Sequence, residues 1–319
     1  MPAGRLGRRS PRRRRGGRVL AGVLGTLVVV AVAVAGVVML LDRVAPSPPV
    51  AESCVAEVNG TIARLSPQQS DNAALIAAVA LRRGLPARAA TIALATALQE
   101  SGLINLDHGD RDSLGLFQQR PSQGWGTAAQ VMDPVYATGT FYDRLVKVPG
   151  YQDLAITAAA QAVQHSALPD AYAVHEDRSR AWASSLTGWS PAALTCTLRP
   201  AAAAGSTDAV LARAARDLGL TGSVEPAATG AAAGSAGRSS SAAPVVVLDA
   251  TPLVTGDATR AGWATAQWAV AVAWTVRIDR VAVADRVWVR GTDGWHATTG
   301  AALPAGQVRL TLSTGAGRT

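Results

Sequence analysis

Twenty-three consecutive uncharged residues, VLAGVLGTLVVVAVAVAGVVMLL at positions 19–41, follow a segment that holds Arg5, Arg8, Arg9, Arg12, Arg13, Arg14, Arg15 and Arg18. At about 1.5 Å per helical residue such a run crosses a hydrocarbon core of about 30 Å, so it predicts a single transmembrane helix. The arginines set its direction: residues 1–18 form a cytoplasmic basic tail, and everything after Asp42 lies on the outer side. A cleaved signal peptide is the alternative, with Ala33-Val34-Ala35 as its small-residue cleavage site, but the apolar run continues through Leu41. A twin-arginine export signal fits the flanking residues poorly. One span with no internal charge cannot enclose an ion path, which argues against a transporter.

The same arginines account for the basic balance. Eight of the 30 Lys and Arg residues precede residue 19, which leaves 22 to match 22 Asp and Glu in the rest of the chain. The part outside the membrane therefore has no electrostatic footprint for nucleic acid, and no nucleic-acid partner is expected. Residues 42–53 read as a Pro-rich linker, with APSPPVAES at 45–53. Cys54 follows, and the only other cysteine is Cys196. Two cysteines bracketing one domain on the oxidising side of a membrane suggest a disulfide, with two unpaired buried thiols as the other reading. With two cysteines and four scattered histidines, no metal or other cofactor is expected.

From 54 to 199 the chain reads as helix after helix. Ser66-Pro67-Gln68-Gln69 supplies an N-cap, a first-turn proline and a capping-box Gln for a helix ending near Arg83-Gly84. Pro86 opens a nearly uncharged helix through Ser101. Asp133-Pro134 opens one through Leu145, Thr157 one through His165, and Asp170 one to Leu186. No strand alternation competes in this region, so the expected fold class is mainly α.

The chemistry concentrates between Ala95 and Pro121. Glu100 stands in the last turn of an apolar helix, where partial desolvation raises a carboxyl pKa as a general acid requires. Gly102 lets the chain turn out, and a polar loop with Asn105, Asp107, His108, Asp110 and Asp112 leads to Gly115-Leu116-Phe117-Gln118-Gln119. An EF-hand loop does not fit, because Asp110 occupies the place of its glycine and no Glu closes it.

Glu100-Ser101-Gly102 followed by Gly115-Leu116-Phe117-Gln118 and Pro121 resembles the Glu-Ser and Gly-Leu-Met-Gln motifs of the lysozyme-like lytic transglycosylases. More broadly, 54–198 is similar to lysozyme-like modules of membrane-anchored actinobacterial wall proteins. The resemblance implies a lysozyme-like helical domain that cleaves peptidoglycan glycan strands with Glu100 as acid and then base, the muramyl 6-hydroxyl closing a 1,6-anhydro ring. It implies that Gln118 and Gln119 hydrogen-bond sugar and that Ser101 positions Glu100 or lines the cleft. The family also carries a Tyr-Asn pair on a later helix. Here the corresponding place reads Val163-Gln164, with Tyr172 further on, so Gln164 and Tyr172 are the candidate substrate contacts there. A hydrolase of the muramidase type needs a second carboxylate, and Asp112, Asp107 or Asp110 could supply it, although a solvated loop accounts for these acids as well.

After a short Ala/Gly linker at 200–206, residues 207–319 read as a small C-terminal α/β module. It has a helix at 207–218, a Gly/Ala/Ser-rich insert at 221–244 expected to be disordered, a strand at 245–248, an Asp257-capped helix through Thr275, and strands at 278–284, 287–290 and 308–312. Trp263, Trp268, Trp274, Trp288 and Trp295 all fall there. Trp263 and Trp274 share one helix face and Trp268 lies on the other, so one side can cover the sheet while the other meets a second surface. The module shows no acid–base constellation. It is expected to fold separately and to serve docking, for instance to a cell-wall protein. The expected function is a membrane-anchored extracytoplasmic peptidoglycan-cleaving enzyme. The alternative is a non-catalytic peptidoglycan-binding or divisome scaffold, which the departure at Val163-Gln164 favours.

Overall fold

The computed structural model describes residues 34–35, 39, 51–165, 170–225 and 243–315. The basic tail at 1–18, the linker at 42–50 and most of the apolar run at 19–41 lie outside the described residues. Among the described residues no helix is long and apolar enough to cross a membrane. The fold is mixed α/β, with eight helices and two antiparallel sheets of three and six strands among the described residues. This replaces the mainly α expectation.

The correction begins at Cys54. Strands β1 (Ser53–Val58) and β2 (Thr61–Leu65) form a hairpin, and β3 (Leu194–Thr197) pairs on the other side of β1. Asn59 and Gly60 occupy the turn with φ of 50° and 80°, the left-handed pair that a two-residue hairpin needs. Cys54 and Ala56 on one strand and Ala63 and Leu65 on the other face the core. The Asn-Gly signal is thus legible in the sequence, but the surrounding Ala-rich pattern hides it. Cys54 and Cys196 are register partners in β1 and β3 and are joined by a disulfide spanning 142 residues. In the chain-entropy account, closing a loop of that size stabilises the fold by roughly 4–5 kcal/mol.

The starts at Ser66 and Asp133 fall where the caps place them, whereas Thr157 and Asp170 cap no helix, and the helix expected from Asp170 begins at Glu176. Helix α1 (Pro67–Arg82) carries the Ser66–Gln69 capping box, and α2 (Ala87–Ser101) begins one residue after Pro86, which is its N-cap. Helix α3 (Ala128–Met132) is short and is opened by a Thr127–Gln130 capping box. Helix α4 (Pro134–Leu145) is capped by Asp133, α5 (Ile156–Gln164) starts one residue before Thr157, and α6 (Glu176–Leu186) follows a 3₁₀ turn at Ala173–His175.

Beyond β3 come α7 (Thr207–Leu218), β4 (Gly222–Glu225), β5 (Val245–Asp249), α8 (Ala258–Val276), β6 (Ile278–Val283), β7 (Arg286–Val289), β8 (Trp295–Ala297) and β9 (Gln307–Leu312). The strands run β4-β5-β9-β6-β7-β8 across the larger sheet. The first part of the insert expected to be disordered is therefore strand β4, and 226–242 lie outside the described residues.

Residues Val50–Thr319 form one compact unit, so the segments on either side of 200–206 share a core. Helix α8 is the reason. Trp263 meets Trp295 edge to face at 5.2 Å on the sheet side. Elsewhere along α8, the Ser70 hydroxyl of α1 donates to Ala271 O at 2.8 Å, beside Cys54 Sγ at 3.3 Å. Gln267, fully buried, accepts from Leu194 N of β3 and donates to Ser185 O and Ser190 O. A buried ion cluster closes the seam: Asp217 of α7, with no exposed surface, takes Arg213, Arg216 and the Trp268 indole, while Arg213 also reaches Asp71 of α1. Every polar atom named here has its partner, as burial at such a seam requires.

Candidate active site

Helix α2 is buried from Ala89 to Leu98, so only its last turn can present chemistry. Gly102 takes the left-handed conformation at φ 63° and returns its N–H to Leu98 O, and Leu103 (φ 61°) returns its own to Ala97 O. That cap stops the helix with Glu100 partly exposed. Two α1 side chains hold the turn: Gln69 donates to Gly102 O and Asn72 to Leu103 O, both at 2.8 Å.

The motif Gly115-Leu116-Phe117-Gln118 is the tip of a small hairpin. Leu114 and Gln119 exchange both backbone hydrogen bonds at 3.0 Å, and Gly115 N–H reaches Leu106 O at 2.7 Å. Leu116 and Phe117 are buried, and Phe117 stacks on Phe141 of α4 at 4.8 Å. Their carbonyls are tied to the elements around Glu100. Ser101 Oγ donates to Leu116 O at 2.7 Å, and Gln164 Nε2 at the end of α5 donates to Phe117 O at 2.8 Å.

Tyr172, fully buried, completes the group by donating its hydroxyl to Glu100 Oε1 at 2.7 Å. Burial pushes the Glu100 carboxyl above its ordinary value, and hydrogen bonds from Tyr172 and Gln164 oppose that rise without cancelling it. His175, one 3₁₀ turn after Tyr172, lies 3.1 Å from Gln99 Oε1, so two side chains from the same turn grip the end of α2. Burial, helped by the nearby Arg178, pushes the His175 imidazole below its ordinary value and keeps it neutral at pH 7. Nothing local in the sequence marks His175, whose partner stands 76 positions away.

Glu100, Ser101, Gln164 and Tyr172 are thus brought together around the hairpin. Gln118 stands at its tip with φ 46°, its amide 3.3 Å from His108 O and Gly115 O. Gln119 is turned inward: it is buried and donates to Ala137 O at 3.0 Å, so in this arrangement it fastens the hairpin to α4. Asp112 is taken up by its own loop. Its oxygens accept from Ser122 N at 2.8 Å, Arg120 Nε at 2.8 Å and Ser122 Oγ at 3.0 Å, and these donors hold its carboxyl well below the usual range. Asp107 pairs with His108 on the surface. Among the described residues no group of three or more His, Cys, Asp or Glu side chains is placed to hold a metal ion.

No known family model matches the chain, and no curated protein matches it.

Proposed function

We propose that this chain is a membrane-anchored, extracytoplasmic enzyme that cleaves the glycan strand of peptidoglycan, with Glu100 as general acid and then base. One observation carries the reading: a partly buried carboxyl with a raised pKa, hydrogen-bonded by Tyr172, stands beside a hairpin whose backbone is locked in place. In the first step the protonated carboxyl gives its proton to the glycosidic oxygen as the bond from that oxygen to C1 breaks. Tyr172 and Gln164 then steady the carboxylate that remains. In the second step the 6-hydroxyl of the same muramyl ring bonds to C1 and returns its proton to Glu100, so no water is consumed. Asp112, engaged with Arg120 and Ser122, is not required.

The cross-strand disulfide supports placement on the oxidising side of a membrane. Anchorage through 19–41 with the N-terminus cytoplasmic is part of the proposal, and protease added to intact spheroplasts should then remove the globular part. Mass spectrometry of muropeptides after digestion tests the chemistry. Anhydro ends are expected, and Glu100→Gln should lower their yield by roughly 10² to 10⁴-fold with glycan binding retained. Reducing ends would mean a hydrolase, and no change would leave a scaffold that holds glycan.

A further inference from the structure

Away from Glu100, a cavity of about 460 Å³ opens at the C-terminal end of α8, and its walls hold Glu52, Arg199, Trp274, Arg277 and Arg290. Its walls hold three guanidinium groups and one carboxylate, with Asp279 paired to Arg290 behind them, so one positive charge is left over. Glu52 is already engaged, accepting from Arg199 N and Arg199 NH2 at 3.0 Å each. Arg290 is engaged too. Its guanidinium, only 5% exposed, binds Asp279 and donates to Ala273 O, Ile278 O and Arg199 O, forming a rigid floor. Arg277 differs: it is exposed, gives one N–H to Ala204 O, and pairs with no carboxylate among the described residues.

Trp274 is the second unusual group. The other tryptophans of α8 are buried, but this residue is 48% exposed and lines the cavity beside Glu52.

We infer that this cavity binds an acidic pyranose, its C–H face laid on the Trp274 ring and its carboxylate taken by the Arg277 fork, with Arg199, whose NH2 is already given to Glu52, beside it. The indole plane accepts a flat apolar face without asking for polar partners. A guanidinium fork matches a carboxylate with two parallel N–H bonds. The volume falls within the range of small-molecule sites. The inference stands on the lining residues alone and does not depend on Glu100.

The test uses the full-length chain in detergent micelles, labelled at its indole nitrogens, with the Trp274 resonance identified by its loss in Trp274→Phe. N-acetylmuramic acid should shift that resonance, and N-acetylglucosamine, which lacks the lactyl carboxylate, should do so at least tenfold more weakly. Arg277→Ala should weaken the N-acetylmuramic acid response at least tenfold with the melting midpoint unchanged, and Glu100→Gln should leave it intact. Equal response to the two sugars, no shift with N-acetylmuramic acid, or an unaltered titration in Arg277→Ala would overturn the assignment. A response to vesicles of anionic phospholipid or to adenosine monophosphate matching that to N-acetylmuramic acid would overturn it as well.

Discussion

At the scale of single residues, the burial that raises the Glu100 pKa costs stability at the place where the proposed chemistry needs a proton donor. The raised pKa means that the folded state favours the protonated form. The associated stability is full below the unfolded carboxyl pKa and is lost as pH rises through the folded one. Glu100→Gln, which cannot ionise, should therefore melt higher than the natural protein above that window, and the gap should close as pH falls below it. Thermal melts across pH check this, and a constant gap would refute it. If Glu100 is the proposed general acid, the activity of the natural protein should fall as pH rises through the same pKa, because the proton donor disappears. Tyr172 adds a second sign. Its hydroxyl stabilises the charged carboxyl, so Tyr172→Phe removes a lowering influence and should move the alkaline limb of the pH–rate profile to higher pH. A limb displaced to lower pH would mean that Tyr172 does not act through Glu100.

At the scale of elements, the hairpin from Leu114 to Gln119 transmits position to the site. It can lie as close as it does because Gly115 has no side chain: at φ 78°, an added Cβ would stand 2.6 Å from Val131 O of α3. Gly115→Ala should cost about 1–3 kcal/mol from the left-handed backbone alone, and more from the collision with a carbonyl that α3 cannot withdraw. Gly124 is the control. Its φ of 73° is similar, but nothing lies within 4 Å of an added Cβ. The difference in denaturation midpoint between Gly115→Ala and Gly124→Ala isolates the packing contribution, and equal losses would show that the approach to Val131 is not tight. Glycan cleavage should fall in Gly115→Ala and survive in Gly124→Ala, because only the first shifts the Leu116 and Phe117 carbonyls that Ser101 and Gln164 hold.

At the scale of the molecule, α8 makes the two halves of Val50–Thr319 interdependent. Removing residues 207–319 would take one partner of the Ser70 hydroxyl, strip Gln267 from the Leu194 N–H and from two carbonyls, leave Asp71 without Arg213, and bare the apolar surface that α8 covers. Each hydrogen bond exchanged for water costs about 0.5–1.5 kcal/mol net, and several together with the apolar surface laid open to solvent are comparable with the 5–15 kcal/mol that holds a domain folded. The truncated protein should lose its cooperative melt and its glycan cleavage together. A cooperative melt near that of the full chain would restore the picture of a helical domain that folds by itself.

Where a structural decision is local, the sequence alone sufficed. Ser66-Pro67 with Gln69, Asp133-Pro134 and Asp257 mark helix starts because a cap satisfies backbone groups within three residues. Glu100 at the end of an apolar helix, with Gly102 behind it, is legible for the same reason. The hairpin at Asn59-Gly60 carried an equally local signal, but strands of five and six residues are too short to stand out among alanines. The rest was decided by packing. Tyr172 reaches Glu100 across 72 positions, and no periodicity encodes that meeting. Gln118 and Gln119 are chemically identical neighbours, yet the bridge to Leu114 aims one outward and buries the other under α4. Asp112 could have been a second carboxylate until its loop folded and gave both oxygens to Arg120 and Ser122. The pairing of Cys54 with Cys196 was foreseeable from their number, whereas the strand register that sets them opposite one another was not. Local signals specify bonds made within a turn or two of the chain, and the side chains that converge on Glu100 were chosen by how whole elements fill one core.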